Sequence, residues 1–468
     1  MLRTLSVVTL IAICGGRLVG AESPSQNEIF DTRKVWDVHL TFAPDQWEAM
    51  EPRQEQQQRS RDRSRGFLVG PEGERNGIAS AFGWRFPQVR ADLQFGPHSF
   101  KDVAVRYKGN GTFLSSQDSL KKSLKIDFND FVKGQKLAGM SQLNLHNSVR
   151  EPTHMNETIA YDLYRKAGVP APRTSYARVY VTVPGKHDRK FFGLYNVVED
   201  VGGPFVKESF ATSDGALLKP VTPTLFGDLG DDWSDYNQIY DPKGKLSDEQ
   251  KKRVIETCKF FSGAPDAEFA ARVGDHVDLD NFARYIAMTV WLSDMDGILG
   301  PGQNYYVHLH PTSNKFMFIP WDQDQSFGQF PRGSQEQREQ LSILKPWNGN
   351  NAFFEKLFKA EAFKTRYLAV MKEINETVVQ PEQINRRVAE LAEVLRGPVG
   401  EESADRLAEL NKAAAGEMIT TLMTGGRSWF VETKPIKLFV PKRQQSVADQ
   451  LAGRSEGETT DRGSRPGR

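Results

Sequence analysis

The segment from Asp294 to Gly328 reads DMDGILGPGQNYYVHLHPTSNKFMFIPWDQDQSFG and indicates an acidic loop, a tight β-hairpin and a strand that ends in two aspartates. The turn PTSNK reverses the chain between the strands NYYVHLH and FMFIPWDQD. If the second strand stays regular, Asp322 and Asp324 share one face, and Asn304 lies at the base of the hairpin. Carboxylate and amide oxygens are typical ligands of Mg²⁺ and Mn²⁺. We therefore predict that Asn304, Asp322 and Asp324 bind a divalent metal ion.

The neighbours of these aspartates favour a cleft over an open surface. A lone Asp-x-Asp pair is more often a surface turn, but here the apolar run Ile319-Pro320-Trp321 precedes it and Ser326-Phe327-Gly328 follows it. A carboxylate from the preceding loop could then orient an attacking hydroxyl group, as phosphoryl transfer requires. The residues alone leave Asp294 and Asp296 as alternatives for this role.

The overall composition excludes some broad classes of protein. The 468 residues have a net charge of +1, with 26% charged and 38% hydrophobic residues. This is enough apolar side chain for a core and too little net charge for a nucleic-acid-binding protein, so we expect no nucleic-acid partner. A chain of this length is typical of two or three domains.

The N-terminus has the pattern of a secretory signal peptide. A basic start, Met1-Leu2-Arg3, precedes an apolar run of about ten residues, and the small residues of Val19-Gly20-Ala21 form a cleavage site. The apolar run is too short for a membrane-spanning helix. We predict a signal peptide over residues 1–21, export to the periplasm, cell surface or exterior, and no stable insertion in a membrane.

Strand and helix patterns divide the rest of the chain into two parts. Alternating apolar residues indicate strands in the first part, where Met155, Ile159 and Leu163 also predict one helix, and helical patterns predominate in the second part. An α+β chain in this order has the layout of a two-lobed kinase, whose cleft lies between the lobes. The predicted units are a β-rich N-terminal lobe at 34–200 with a solvated insertion at 51–75 and one main helix at 154–167, a larger helical C-terminal lobe at 201–440, and a disordered tail at 441–468.

Two segments of the predicted N-terminal lobe could contact phosphate groups. In RYKGNGTF (106–113), Gly109 and Gly111 would let the backbone approach a phosphate, although an ordinary hairpin turn fits the same pattern. In LKKSLKIDF (120–128), Lys122 lies on the apolar face of a strand, where an ammonium group is costly unless it reaches an anion or the edge of the sheet. Lys122 could therefore hold nucleotide phosphates, and Lys121 is the alternative.

A glutamate and a connector complete the predicted nucleotide site. A phosphate-binding lysine of this kind pairs with a glutamate on the following helix. Glu157 fits this role better than Glu151, which precedes the helix, although a solvated helix-face glutamate fits Glu157 equally well. The segment GLYNVVED (193–200) supplies Glu199 and leads into a short connector of the kind that contacts an adenine ring through backbone groups.

Taken together, these segments resemble the CotH family, the spore-coat-type secreted kinases with a highly diverged protein-kinase fold. The resemblance extends from about Val35 to Phe439 and depends on the order and spacing of the segments. It implies ATP-dependent phosphorylation of Ser or Thr in a secreted or envelope protein, with Mg²⁺ or Mn²⁺. The segments that carry it are RYKGNGT, KKSLKIDF, ETIAYDLYRKAGVPAP, GLYNVVEDV, DMDG followed by NYYVH, and IPWDQDQSFG.

The resemblance also implies roles for single residues. Lys122 resembles the lysine that anchors phosphates, Asp296 the aspartate of the catalytic loop, and Asn304 the metal-binding asparagine. Asp322, with Asp324 beside it, resembles the metal-binding aspartate. Asp296 and Asn304 are eight residues apart instead of about five, so either extra residues within ILGPGQ bulge out or the catalytic position has shifted along the loop.

Two other functions also fit the sequence. A non-catalytic surface or envelope protein could have kept the fold as a binding scaffold, because ATP is scarce outside the cytoplasm. Nucleotide-dependent thermal stabilisation would separate such a scaffold from an enzyme. A metal-dependent phosphoesterase would bind metal without needing Lys122 or the glycine-containing turn.

Overall fold

The computed structural model describes residues 24–54, 76–222, 224–423 and 429–460. The predicted signal peptide at 1–21 and most of the predicted insertion, residues 55–75, lie outside these ranges. Within them the chain forms a mixed α/β fold that has one large sheet, two-stranded and three-stranded sheets, and a mainly helical second part.

Seven strands of the first part close into a barrel. The strands of this part are β1 (Val35–Thr41), β2 (Arg53–Gln54), β3 (Trp84–Arg85), β4 (Val89–Phe95), β5 (His98–Tyr107), β6 (Leu124–Asp127), β7 (Gln142–His146), β8 (Thr174–Val183) and β9 (His187–Glu199). The barrel order is β1-β4-β5-β6-β7-β9-β8, and β2 pairs separately with β3. Neighbouring barrel strands are antiparallel, except that β1 runs parallel to β8 and so closes the sheet.

The barrel interior is apolar because side chains alternate along each strand. Val105 and Tyr107 of β5 belong to the barrel core, whereas Arg106 between them does not. The polar side chains of β5, β6 and β7 therefore lie on the outside of the barrel. The core also contains Trp36, Val38 and Leu40 of β1, Leu124 and Ile126 of β6, and Leu143 and Leu145 of β7.

Helices accompany the barrel and, together with small sheets, make up the second part of the chain. The helices that accompany the barrel are α1 (Gln26–Ile29), α2 (Pro44–Ala49), α3 (Ile78–Ala81), α4 (Gly111–Leu114) and α5 (Asn156–Lys166). They are followed by α6 (Gly203–Phe210), α7 (Trp233–Tyr240), α8 (Asp248–Gly263), α9 (Asp266–His276), α10 (Leu279–Trp291), α11 (Gln335–Glu339), α12 (Ala352–Lys359), α13 (Glu361–Glu373), a π-helical turn (Ile374–Val378), α14 (Pro381–Glu402), α15 (Ala404–Ala415) and α16 (Ile436–Leu451). Strands β10 (Ala216–Leu218), β11 (Tyr305–Leu309) and β12 (Phe316–Pro320) form one antiparallel sheet, and β13 (Ile419–Met423) pairs with β14 (Trp429–Thr433). Among the described residues, no helix has both the length and the apolar character needed to cross a bilayer.

Helix α10 fixes the position of the β11–β12 hairpin. The Asp278 side chain caps the helix by accepting a hydrogen bond from the Asn281 N–H at 2.9 Å. The Asn281 side chain in turn bonds to both backbone groups of Phe318 on β12, at 2.6 and 3.3 Å, and Phe282 stacks on the Phe318 ring at 4.2 Å. The acidic residues that follow β12 are therefore attached to a rigid support.

Helix α5 confirms the predicted helix at 154–167, but it packs with the helices of the second part. Met155, Ile159 and Leu163 belong to the large helical core and not to the barrel core. The Tyr164 hydroxyl lies 2.9 Å from the Thr289 hydroxyl on α10. The end of α5 that carries Glu157 is therefore held between the barrel and the helical part.

The predicted disordered tail at 441–468 is wrong for residues 441–460. Residues 436–451 form helix α16, and Val447 is fully buried. Arg443 is also fully buried, because its guanidinium donates to backbone carbonyls. The polar sequence concealed this burial, since partners from distant segments satisfy the charged group. Residues 461–468 lie outside the described ranges.

Candidate functional site

A cleft of about 650 Å³ lies between the outer face of the barrel and the sheet β10-β11-β12. Polar side chains of β5, β6 and β7 form one wall, and one face of β10 and β11 forms the other, where Leu217 lies opposite His308. A cavity of this size can hold a nucleotide-sized ligand. The barrel wall includes Arg106, Lys108, Lys125, Asn144 and His146, and the opposite wall includes Leu217, Lys219, Tyr306, His308, Trp321 and Asp322.

Lys108 directly follows β5 and presents an ammonium group to the cleft. Its Nζ lies 3.0 Å from Asn144 Oδ1, 2.7 Å from His146 Nε2 and 5.0 Å from the centre of the Trp321 ring. Burial and the nearby charge of Lys219 lower the pKa of Lys108 well below its usual value, and the charge of Asp322 opposes this shift. An anion bound in the cleft would stabilise the charged form of Lys108.

Lys219 faces the cleft from the opposite wall. Its Nζ lies 5.3 Å from the Tyr306 ring centre and 5.1 Å from the Trp321 ring centre. Burial, together with the charge of Lys243, lowers the pKa of Lys219 to about 7. Two ammonium groups from separate sheets thus face one cavity, which is an arrangement suited to a polyanion.

Buried carboxyl groups lie at the end of the cleft near the β11–β12 hairpin. Burial raises the pKa of Asp294 to about 6. Burial and the charges of Asp294 and Asp322 raise the pKa of Asp296 to about 8. Burial, Asp322 and Glu157 raise the pKa of Asp324 well above its usual value. A cation at this point would offset the mutual repulsion of these carboxylates.

The two ends of the hairpin meet through residues with left-handed backbone conformations. Asn304 has φ of 60° and Asp322 has φ of 55°, a left-handed conformation that Asn and Asp adopt more readily than most non-glycine residues. The Trp321 N–H donates to the Asn304 carbonyl at 3.1 Å. The Asn304 amide donates to the backbone and side-chain oxygens of Asp296 at 3.1 and 3.3 Å. A turn over residues 297–302 accommodates the long spacing between these two residues.

His146, Glu157 and Asp322 come from three different elements and form a cluster. One possible ligand atom from each residue lies within 4.8 Å of the other two. His146 Nδ1 is 3.0 and 3.1 Å from the two carboxylate oxygens of Glu157. The Tyr161 hydroxyl donates to Glu157 at 3.2 Å and accepts the Asp322 N–H at 2.9 Å. Helix α5 is thereby linked to the segment after β12.

The structure brings most of the sequence-predicted residues to this cleft. Asp296 is not a lining residue, but it is partly exposed and contacts the lining residues Gln303 and Asn304. Gly111 is not a lining residue: it begins α4, where a side chain would come within 3.2 Å of the Arg150 guanidinium. The predicted residues that line the cleft are Gly109, Glu157, Glu199, Asn304, Asp322 and Asp324.

The assignment of phosphate binding to Lys122 is wrong in its geometry. Lys122 lies in the loop that precedes β6 and is buried, and its side chain turns back towards that loop. Its Nζ donates to the Ser119 carbonyl at 2.6 Å and lies 5.6 Å from the Tyr107 ring centre. Lys122 does not line the cleft. The alternative, Lys121, pairs instead with Glu402 at 2.7 Å.

The two other predicted glutamates have structural partners. Glu199 pairs with Arg173, whose Nε lies 3.0 Å from Glu199 Oε2, at the start of the connector between the two parts of the chain. Glu151 accepts the N–H groups of Thr153 at 3.1 Å and Asn156 at 3.3 Å. Glu151 does not line the cleft, and burial raises its pKa to about 8.

Sequence reasoning missed three cleft residues. Lys108 is two residues after Arg106, so alternation along β5 directs both side chains to the outside of the barrel. This pattern could have identified Lys108 from the sequence. His146 has the same outward parity on β7. Lys219 gives no local signal, because only the packing of β10 beside β11 directs it to the barrel.

The position of this cleft in the chain agrees with a known protein family. The family model described as "CotH kinase protein" matches residues 105–447, well over half of the sequence. This chain belongs to the CotH family. The matched range begins on β5, ends in α16 and contains Lys108, His146, Lys219 and Asp322. Every cleft wall described above therefore lies within the CotH region.

Curated relatives of this CotH chain are distant. "Inner spore coat protein H" of Bacillus subtilis (strain 168) is 22% identical over 299 residues, which cover 63% of this chain and 77% of that protein. "Spore coat protein homolog 1" of Rhizopus delemar is 22% identical over 204 residues, covering 42% of this chain and 32% of that protein. "Invasin CotH7" of the same fungus is 22% identical over 203 residues, with the same coverage. The chain thus matches about a third of each fungal relative.

Proposed function

We propose that this protein is an exported, ATP-dependent phosphotransferase that acts on Ser or Thr of a secreted, envelope or coat protein. The barrel and the helical part would act as the two lobes of a kinase-like fold. The proposal rests on one observation, namely that Lys108 and Lys219 face the same cleft as Asn304, Asp322 and Asp324. Membership of a family described as kinase supports it.

The cationic walls of the cleft would hold the nucleotide phosphates. A buried ammonium group without a full counter-charge is unfavourable, and the lowered pKa values of Lys108 and Lys219 express this cost. A triphosphate would supply the missing charge from the centre of the cleft. Gly109 allows the backbone to approach it, and the connector after Glu199 lies where a base could contact backbone groups.

The carboxyl end of the cleft would hold the metal ion. The donor set of Asn304, Asp322 and Asp324 consists of oxygen ligands, which fit Mg²⁺ or Mn²⁺. The raised pKa of Asp324 indicates that these oxygen ligands have too little positive charge around them. A bound divalent ion would neutralise phosphate charge during transfer.

Asp296 is the proposed residue that orients the acceptor hydroxyl group. The side-chain amides of Asn304 and Gln303 donate to its carboxylate at 3.3 and 3.1 Å and fix its direction. In the proposed reaction the hydroxyl oxygen forms a bond to the γ-phosphorus, the bond to the bridging oxygen breaks, and ADP leaves. A bound metal ion would favour the ionised form of Asp296, which would then accept the hydroxyl proton.

A second candidate function is a non-catalytic coat or surface protein. Two relatives are named as spore coat proteins, which favours such a structural role. The absence of Lys122 from the cleft is also compatible with a scaffold. A scaffold would not bind ATP, whereas ATP at one hundred times its dissociation constant should add about 2.7 kcal/mol to the stability of an enzyme.

The test is transfer of labelled γ-phosphate from ATP to a generic Ser/Thr-rich protein, with Mn²⁺ or Mg²⁺. We expect the wild-type protein to incorporate labelled phosphate. The rate of transfer should fall at least about 100-fold in Asp322→Asn and at least about tenfold in Lys108→Met. Lys122→Met should retain most of the activity, and Asp188→Asn, an exposed residue near the start of β9, is a surface control. Full activity of Asp322→Asn would contradict the metal assignment. No transfer and no stabilisation by ATP would leave the scaffold as the function.

A further inference from the structure

We propose that His146, Glu157 and Asp322 form a cation site with an imidazole ligand, which selects a first-row transition-metal ion such as Mn²⁺ over Mg²⁺. This ligand set differs from Asn304, Asp322 and Asp324, with which it shares Asp322. The role of the ion in phosphate transfer rests on the proposed function, but its binding does not.

The spacing of the three side chains suits a single ion. Ligands at right angles around an ion with bonds of about 2.1 Å lie about 3.0 Å apart. His146 Nδ1 lies 3.0 Å from one Glu157 oxygen and 3.1 Å from the other. All three possible ligand atoms fall within 4.8 Å of one another, a separation that one ion can bridge when two of its ligands lie on opposite sides of it.

Rigid elements hold these ligands in place. His146 is the last residue of β7 and its ring contacts the Trp321 ring edge-to-face, with ring centres 5.6 Å apart. Glu157 is in the first turn of α5 and only 1% exposed. The Tyr161 hydroxyl contacts both the Glu157 carboxylate and the Asp322 N–H. Such supporting contacts orient metal ligands and increase affinity.

The local charges favour a cation at this point. Glu157 and Asp322 supply two carboxyl groups whose oxygens lie close to the His146 ring, and Asp324 follows Asp322 by two residues. The facing cations are Lys108 and Lys219 on the cleft walls. Lys108 Nζ lies 2.7 Å from Nε2 of His146. The other ring nitrogen of His146, Nδ1, faces the carboxylate of Glu157.

The nitrogen atom determines which metal binds. Mg²⁺ prefers oxygen ligands and releases its water reluctantly, whereas imidazole suits Fe²⁺ and Zn²⁺. Mn²⁺ binds nitrogen less strongly than these two ions but accepts it more readily than Mg²⁺ does. Coordination at Nδ1 places the imidazole proton on Nε2, which then no longer accepts a hydrogen bond from Lys108. The ammonium group of Lys108 is then available to an anionic ligand in the cleft.

The test is pulsed electron paramagnetic resonance of Mn²⁺ added to the full chain without nucleotide. Nitrogen bound directly to Mn²⁺ modulates the electron spin echo, and ¹⁵N-histidine labelling of the wild-type protein must change that modulation. We expect the nitrogen signal to be lost in His146→Gln and kept in His308→Gln, which alters another histidine of the cleft. The excess of Mg²⁺ needed to displace Mn²⁺ should fall at least about tenfold in His146→Gln.

Absence of a nitrogen signal in the wild-type protein, or a signal unchanged in His146→Gln, overturns the proposal. Equal competition by Mg²⁺ in the wild-type protein and in His146→Gln also overturns it. Because the labelling experiment uses the wild-type protein, it gives an answer even if His146→Gln fails to fold. A nitrogen signal from a protein without phosphotransferase activity would support the cation site and contradict only the proposed function.

Discussion

The direction of single side chains along β5 and β6 decides which lysine reaches the cleft. The alternation of apolar and polar residues predicts that Lys122 shares a face with Leu124 and Ile126, but β6 begins only at Leu124, and Lys122 lies in the preceding loop. The same alternation places Lys108 on the opposite face, beside Asn144. The sequence does not show which face of β5 and β6 borders the cleft, because this depends on how the sheet closes into a barrel around its apolar side.

A buried carboxyl group gives a residue-scale prediction about pH. Burial raises the pKa of Glu151 to about 8, from a usual value of 4.5. Between these two values the folded state binds a proton that the unfolded state has lost, so the free energy of unfolding falls as pH rises. One pKa unit corresponds to about 1.4 kcal/mol, so Glu151→Gln should be more stable than wild type by about 2 kcal/mol or more at pH 8.

Urea denaturation of both proteins at about pH 5 and pH 8 measures this difference. At pH 5 the two free energies of unfolding should be nearly equal, because Glu151 is then largely protonated in the folded state. Glu361→Gln, on an exposed side chain of α13, is the matched control and should follow wild type at both pH values. A Glu151→Gln difference that does not change with pH would contradict the prediction.

At the scale of elements, the β11–β12 hairpin was predictable and helix α16 was not. The hairpin has its turn, its alternating apolar residues and its flanking aspartates within one short segment, and the strands Tyr305–Leu309 and Phe316–Pro320 confirm it. The part of α16 that the tail prediction covers, residues 441–451, has few apolar residues and begins with Pro441. Its burial depends on Arg443, whose partners come from other elements of the chain.

The buried guanidinium of Arg443 should make α16 essential for stability. It donates to the carbonyls of Trp291, Val290, Leu341 and Glu339 at 3.2, 2.9, 2.6 and 3.3 Å. Arg443→Met removes these bonds and leaves buried acceptors without donors. We expect a loss of about 3 kcal/mol or more in the free energy of unfolding, measured by denaturant titration.

Arg454→Met is the matched control for this prediction. Arg454 is exposed and pairs with Asp449 at 2.7 Å, close to the end of the same helix. Loss of an exposed pair should cost less than about 1 kcal/mol. Equal destabilisation by Arg443→Met and Arg454→Met would show that α16 is not anchored by its buried arginine.

At the scale of the whole molecule, a buried ion pair attaches the helical part to the barrel. Lys121 Nζ lies 2.7 Å from both Glu402 oxygens at the end of α14, and the Leu194 N–H donates to Glu402 at 2.8 Å. Gly193 has φ of +126°, and a side chain there would come within 2.8 Å of Glu402. Only a glycine lets the helix end approach β9 this closely.

Removal of one partner of this pair should destabilise the molecule more than removal of both. Lys121→Met or Glu402→Gln leaves a buried group without its counter-charge, which should cost about 3–5 kcal/mol. The double variant should recover part of this loss. A double-mutant cycle of unfolding free energies measures the coupling, and additive losses would contradict a direct interaction across the two parts.

The sequence by itself determined the hairpin, the acidic residues at its ends, the helix α5, the order of strands and helices, and the resemblance to the CotH family. These features depend on neighbouring residues, because alternation within a strand and periodicity within a helix are local. Only the tertiary structure decided that Lys108 and Lys219, in place of Lys122, face Asp322, and that α16 is part of the fold. The physical reason is that sheet closure and burial of charged groups depend on contacts between segments far apart in the chain.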